Sequence, residues 1–561
     1  MATINNPWVG YLDRNFRSIK NRILTRMGET IPEMTDHSDS NILVVAIEAF
    51  SGVAEMIAYY IDNMAREAFI TTARKYSSVV KHTRLIDYRI KAKVPASVDL
   101  SIFFTNLDGT PYTNPTEFTI PIGTAFTTAN GIQFLTVSDN IVKAGATAAS
   151  ISVRQKTLVS NDNLGITSDQ VDQVFSLGTD YVNNSIQITI GGEPWFFKQT
   201  LGRSLPTDKD YIVDVSANKE AYIRFGDGIN GAIPTAGQNV VGDYYTSLGS
   251  LGNVEVNTII NTTYDFSTLH GIPKVTITNI LKASNGTDFE DIERIRRSAP
   301  LSLRTLDRAV TFQDYKDIAL LAPGVDKAEV SFSCGKYVYI YIAPNNGGIA
   351  STSLLNDVEN YFDNKKMVTT FVRPLPTGES GIYIDATVTG KFRKDGIQLK
   401  NELTALLLDK YSYDNSDINK TIRESDLISL IDNYVYVDYL TLNELSTVSY
   451  IRPEGHTTQL DYSLKINSGS TTNQVWKIKY NGDTFILFKG NQQVANLEAG
   501  VPFTDLSNIL TITVNAGAYA IGNEWSFTTQ PINKDQVGRD YAIPVLKPEN
   551  LKLTIIEQTS I

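Results

Sequence analysis

The stretch Tyr222–Val254, YIRFGDGINGAIPTAGQNVVGDYYTSLGSLGNV, constrains this chain more than any other. Ala221–Phe225 predicts a strand that runs into Gly226-Asp227-Gly228, a turn that asks for positive φ. Pro234 and Gly237 predict a second turn, Val240–Tyr245 alternates as a strand, and Gly249, Gly252 and Asn253 punctuate the exit. The pattern reads as consecutive hairpins. Gly226–Gly231 also spells G-x-G-x-x-G, but dinucleotide binding needs a helix after that motif, with its N-terminus on the pyrophosphate. Pro234, Gly237 and a strand follow instead, so no nucleotide site is expected. The neighbours of Asp227 (Gly226, Gly228 and Ile229) carry no side-chain oxygen, so a turn aspartate bonding its own backbone is expected rather than an EF-hand-like calcium ligand.

A chain of 561 residues accommodates about three to five domains. Abundant Tyr and Phe with many Thr and Asn suit β-rich structure. The net charge of −11 supplies no basic field for nucleic acid. The single cysteine, Cys334, excludes an internal disulfide framework and a cysteine-based metal cluster. The N-terminus lacks the apolar core of a signal peptide. No uninterrupted run of 18 or more apolar residues occurs, so no membrane-spanning helix is expected.

Residues 1–95 read as helical. Leu12, Phe16, Ile19, Ile23 and Met27 recur at helical spacing, and Gly28 and Pro32 predict the end of that helix. Ser38, Asp39 and Ser40 are candidate N-caps of a longer helix, along which Ile42, Ala46, Ala49, Val53, Met56 and Tyr60 form a second stripe. Such stripes pack on another helix, either within the chain or from another chain, because a stripe identifies a buried face and not its owner.

From 96 to 280 the pattern is β, with Asn130-Gly131 as a hairpin turn. Clustered Trp195, Phe196 and Phe197 are core anchors or a sugar-stacking platform. Residues 281–330 return to helix: Thr287 and Glu290 predict a capping box, Pro300 a stop, Thr311 and Asp314 a second start, and Pro323-Gly324 its end. The arginines at 294, 296, 297, 304 and 308 read as a solvated basic face or as contacts to an acidic neighbour. Residues 331–445 alternate helix and strand. Residues 446–561 read as an extra β module, with Asn481-Gly482 as a type I′ turn. The fold class expected is α+β and multidomain.

Several of these segments carry a family resemblance. Phe225, Gly226, Asp227, Gly228, Gly231, Pro234 and Gly237, then Tyr244, then Gly252, Asn253 and Val254, resemble the central signature of the baseplate J-like proteins. These are wedge subunits of contractile phage tails and related injection machines. Tyr60, Glu67, Phe69 and Thr72-Ala73, the Ile120-Pro121-x-Gly123-Thr124-x-Phe126 segment, Ala309–Tyr315 with Pro323-Gly324-Val325, and Arg373-Pro374-Leu375 are similar to further family segments. The resemblance covers about Tyr11 to Leu440. It implies a structural wedge protein: helical ends in a core bundle, β parts projecting as wings, and a later domain linking neighbours into a ring around the hub. Such a ring passes the contraction trigger to the sheath. The partners implied are a second copy of the chain, a different wedge protein, and sheath-initiator and hub-proximal proteins of the virion's tail baseplate. No cofactor, metal, nucleic acid, membrane insertion or small-molecule substrate is implied, and synthesis and assembly fall in the host cytoplasm.

No H-E-x-x-H, C-x-x-C or G-x-S-x-G occurs, and His37, His82, His270 and His456 lack partners at ligand spacing, so no enzyme is expected. A pair of carboxylates can serve a glycosidase without a local motif, which keeps a tail-associated glycan-binding or glycan-cleaving β protein as the alternative.

Overall fold

The computed structural model describes residues 15–557, apart from 32–35, 37, 39–40, 87, 333–335, 392–393, 455–459, 461, 468–473, 506–509, 516, 518, 520, 531–535 and 537–540. Leu12, Pro32, His37, Cys334 and His456 thus lie outside the described residues, as do Asp39 and Ser40.

Asn15 opens α1 (Phe16–Thr30) by accepting the Ser18 amide at 2.9 Å, while the Ser18 hydroxyl reaches back to Asn15. Gly28 lies inside this helix rather than ending it. The loss of about 1 kcal/mol from an interior glycine is tolerable where the flanking residues propagate the helix. The cap of α2 (Ile42–Glu67) is Asn41, whose side chain accepts from Leu43, and not one of the three residues before it. Lys20 reaches Glu48 at 2.5 Å, and the Phe16 amide donates to Glu55, so polar contacts fasten α1 along α2. Glu67 then accepts the Arg74 and Lys75 amides ahead of α3 (Tyr76–Leu85).

The β region holds two large sheets with separate cores, and a small one of Phe118–Ile120 with Asn140–Val142. In the first, Ser97–Thr105 lies between Ala148–Arg154 and Lys274–Thr278, and Leu100, Ile102, Phe104, Phe126 and Phe134 fill one side. The short helix α4 (Phe266–His270) closes that core with Phe266. The second sheet has seven strands in the order Thr157–Ile166, Asn239–Thr246, Gln187–Ile190, Glu193–Phe197, Asp210–Val215, Ala221–Phe225 and Val174–Gly178. This order corrects the reading of consecutive hairpins. Ala221–Phe225 pairs with Asp210–Val215 and Val174–Gly178, whereas Asn239–Thr246 pairs three strands away. The intervening loop is long enough to cross the sheet, which a tight hairpin turn is not.

The connector comprises α5 (Ile292–Thr305) and α6 (Phe312–Leu321). Asp291, not Thr287, caps α5, because the Glu290 carboxylate is buried and already taken by the Tyr88 hydroxyl at 2.7 Å. Pro300 sits within α5 instead of stopping it. Thr311 and Asp314 do form the capping box of α6.

Beyond the connector, α6 and α7 (Thr352–Phe362) cover the sheet of Val325–Phe332, Tyr337–Pro344 and Phe371–Pro376, around Tyr315, Ile340, Val358 and Phe362. Next, α8 (Gly396–Lys410) and α9 (Glu424–Asp432) cover Glu379–Gly390 and Val437–Val448. The last strand, Ile543–Glu557, runs parallel to Glu379–Gly390 in that same sheet. A boundary at 446 therefore does not hold for the chain's end: the β module is an excursion whose final strand returns. Inside it Trp476 and Trp525 are fully buried. Tyr480 pairs with Phe485, so the Asn481-Gly482 turn spans four residues, with positive φ at Gly482 and not at Asn481, and is not type I′. The chain is a mixed α+β multidomain protein.

Candidate assembly interface

Helix α2 sets the first feature. Its stripe Val44, Ile47 and Ser51 is buried, with Ala58, Asp62 and Arg66 continuing it. The other stripe stays open: Ile42 is 82% exposed, Val53 56%, Met56 58% and Tyr60 59%, and Ala46 and Ala49 are also exposed. Phe50, Ile57 and Met64 widen this apolar face. On α1, Phe16, Ile19 and Ile23 are half-buried. The fold thus separates the two stripes read from sequence: α1 is used partly against α2, while the stripe of α2 stays exposed.

The expectation of no membrane-length apolar helix needs correction. Ile42–Glu67 has a mean hydropathy of 1.8 over its best window and is long enough to cross a bilayer by length and composition. Isolated glutamates at 48 and 55 hide this from a search for uninterrupted apolar runs.

The glycine signature is a structural joint. Phe225 is fully buried, edge-on to Trp195 at 5.0 Å and near Phe175 and Tyr211. Trp195 is thus a core anchor, while Phe196 and Phe197 lie on the surface. Gly228, Gly231 and Gly237 have positive φ, as the turn reading requires of the first. Gly226 does not; there a Cβ would collide with the Gly231 carbonyl. Asp227 accepts the Asn230 and Ile229 amides at 2.6 and 2.9 Å, and these bonds hold its carboxyl below the usual range. Pro234 is buried at the next bend. Gly252 packs against Gln155 and Ala96, and Asn253 bonds the Gly286 backbone.

Sequence reasoning misplaced two of the connector arginines. Arg294 donates to Asn345 at 2.5 Å and to the Val325 carbonyl at 2.7 Å; Arg296 donates to the carbonyls of Ile70 and Ala73. Arg304 pairs with buried Asp317. Arg294 and Arg296 staple α5 to its neighbours instead of joining a solvated face, whereas Arg297, Arg304 and Arg308 are exposed. Local sequence shows the charges but not the distant carbonyls that receive them.

The histidines are structural where described. His82 bonds the Glu67 carbonyl at 2.8 Å, and His270 stacks on Phe118 and meets the Tyr264 hydroxyl. Among the described residues no group of three or more His, Cys, Asp or Glu side chains is arranged to hold a metal.

Residues 15–85, which hold α1 to α3, match the family model described as bacteriophage baseplate protein, N-terminal domain. The baseplate wedge protein gp6 of Enterobacteria phage T4 is 22% identical over 503 residues, spanning 81% of this chain and 72% of that protein. The chain is thus similar to a phage baseplate wedge protein. A chain in the structure of the anti-feeding prophage (AFP) baseplate aligns over 76% of this wedge relative and 86% of its own length, at 11% identity and a TM-score of 0.27, too low to compare the folds. The family match in this wedge relative falls on the segment whose apolar face is open.

Proposed function

We propose that the chain is a structural subunit of a contractile-tail baseplate, joining its neighbours through α2. The observation that carries this is the open apolar face of a 26-residue helix inside the segment matched to a baseplate family. Apolar patches of that kind on a folded protein mark contact surfaces. In this reading two copies lay their α2 helices against one another and against a different wedge protein. The β sheets project as wings, and the region from 331 onward links neighbouring wedges into a ring that holds the sheath until the trigger arrives. The chain performs no catalysis here; its work is in its interfaces, together with sheath-initiator and hub-proximal proteins.

A bilayer is the other environment that would cover α2. Glu48, Glu55, Asp62 and Arg66 are spread along the helix, and charges at membrane depth are costly, which favours protein cover. A glycan-directed role has exposed Phe196 and Phe197 in its favour, but Asp210, the carboxylate paired opposite Phe196, is buried and already bonded by the Ser204 hydroxyl.

The test is native mass spectrometry of the purified full chain against the Val53→Asp, Met56→Asp double variant. Association lost with the wings still folded supports the reading. Association unchanged, or recovery of the wild-type chain in the membrane fraction, contradicts it.

A further inference from the structure

A cavity of about 310 Å³ lies where α3 meets the seven-stranded sheet. Three arginines from three places line it. Arg84 comes from the last turn of α3, Arg89 from the segment leading out of it, and Arg224 from the strand that ends at Phe225. Their partners do not balance them. Arg89 donates to Asp214 at 2.9 Å and to the Val213 carbonyl at 3.4 Å. Arg84 donates to a neutral acceptor, the Tyr222 hydroxyl, at 2.7 Å. Arg224 stands 3.8 Å from Asp172 and 3.7 Å from Asp214, both too far for a hydrogen bond. Its Nε is buried and bonds no described residue.

Three guanidinium groups thus face two carboxylates, and only the Arg89–Asp214 pair is at hydrogen-bonding distance. In a chain of net charge −11 this is a local excess of positive charge. Guanidinium forks match the two oxygens of a carboxylate, and such charge-assisted bonds are roughly twice as strong as neutral ones. The cavity sits near the lower end of ligand pockets, about 300 Å³, so it suits one side chain better than a nucleotide. It also lies close to the open helix: His82, between the lining residues Val80 and Thr83 on α3, bonds the carbonyl of Glu67 at the end of α2.

We propose that this pocket receives the carboxylate of an aspartate or glutamate from a neighbouring protein chain, gripped between Arg84 and Arg224. The contact would fix how the wing is set against the helical region when the neighbour docks. This rests on the reading of the chain as an assembly subunit.

The experiment co-expresses the full chain with the other baseplate proteins of its source and measures the affinity of the resulting complex. The wild type is compared with Arg84→Gln/Arg224→Gln and with Arg84→Lys/Arg224→Lys, the folded state being checked by near-UV circular dichroism. Loss of a charge-assisted bond should weaken binding about tenfold per arginine in the glutamine variant. The lysine variant should recover part of this, since it keeps charge but not the fork. Self-association through α2 should be unchanged in all three. If the glutamine pair does not fold, Arg224→Lys alone should still weaken the complex, and unaltered affinity there counts against the pocket. Equal affinity of wild type and glutamine variant overturns this proposal alone. Stabilisation of the wild type by millimolar malonate or inorganic phosphate, lost in the variant while the complex is unaffected, overturns it in favour of a small-anion site. No complex with the wild type overturns both readings.

Discussion

Asn253 and Gly286 hold each other by two hydrogen bonds: the Asn253 amide nitrogen donates to the Gly286 carbonyl, and the Gly286 amide donates to the Asn253 side-chain oxygen, each at 2.9 Å. A side chain here imitates a strand neighbour. It ties the exit of the glycine signature to the start of the connector, so the β region and the connector share one joint. Gly286 is bare because a Cβ would strike the Gly249 carbonyl.

Asn253→Ala removes both bonds and leaves the Gly286 amide without a partner, while the Gly286 carbonyl keeps the Asn346 side chain at 3.2 Å, at a cost of about 1–3 kcal/mol. Hydrogen exchange read at the Gly286 amide should accelerate correspondingly, with little change in the strands around Trp476. Unchanged protection at Gly286 would show that the joint is held by something else.

Gly226 and Gly237 should respond differently to alanine. At Gly226 the obstacle is the Gly231 backbone, which cannot move aside, so alanine should cost about 3 kcal/mol. At Gly237 there is open space and only φ +79° to pay for, so about 1 kcal/mol is expected. Amide protection across Ala221–Phe225 reads both, and equal effects would refute the steric account of Gly226.

Lys91 provides a pH-dependent test. Burial pulls its pKa down to about 8, although its ammonium donates to the Leu321 carbonyl at 2.5 Å. Between pH 8 and about 10.4, the ordinary lysine value, the unfolded chain binds a proton that the folded chain has released. The sign follows: stability contributed by this group rises with pH through that window, by at most about 1.4 kcal/mol per pH unit. Tyr88 acts oppositely above about pH 10, because burial and Glu290 keep its hydroxyl protonated in the fold. From pH 8 to 10 the melting temperature of the wild type relative to that of Lys91→Met should therefore rise.

The C-terminal strand offers a fourth test. Ile543–Glu557 pairs along most of Glu379–Gly390 and supplies Leu546 and Leu553 to the core under α8. Truncation after residue 541 should therefore unfold the layer around Leu399, Leu403 and Leu407. Replacing only 452–530 with a flexible linker should spare it. Limited proteolysis within α8 distinguishes the two.

What was legible in the sequence was local. Gly228 and the Thr311–Asp314 capping box follow from short-range rules, and the fold class follows from alternating patterns. What was not legible depended on distant partners. The crossing between Ala221–Phe225 and Asn239–Thr246 is set by which strands come between them. The final strand's return is set by pairing with residues more than 150 positions earlier. Glu290 was read as a cap, yet Tyr88, 202 positions away, takes it. In α2 the periodicity was plain, but its two apolar faces had to be separated in space before one of them could be seen to be uncovered.

The most direct measurement of the central claim is native mass spectrometry of the chain co-expressed with the other baseplate proteins of its source. The account predicts a complex with two copies of this chain for each different wedge partner, lost on placing aspartates at Val53 and Met56. A chain that stays monomeric beside those proteins, or assembles equally well with the aspartates in place, would contradict it.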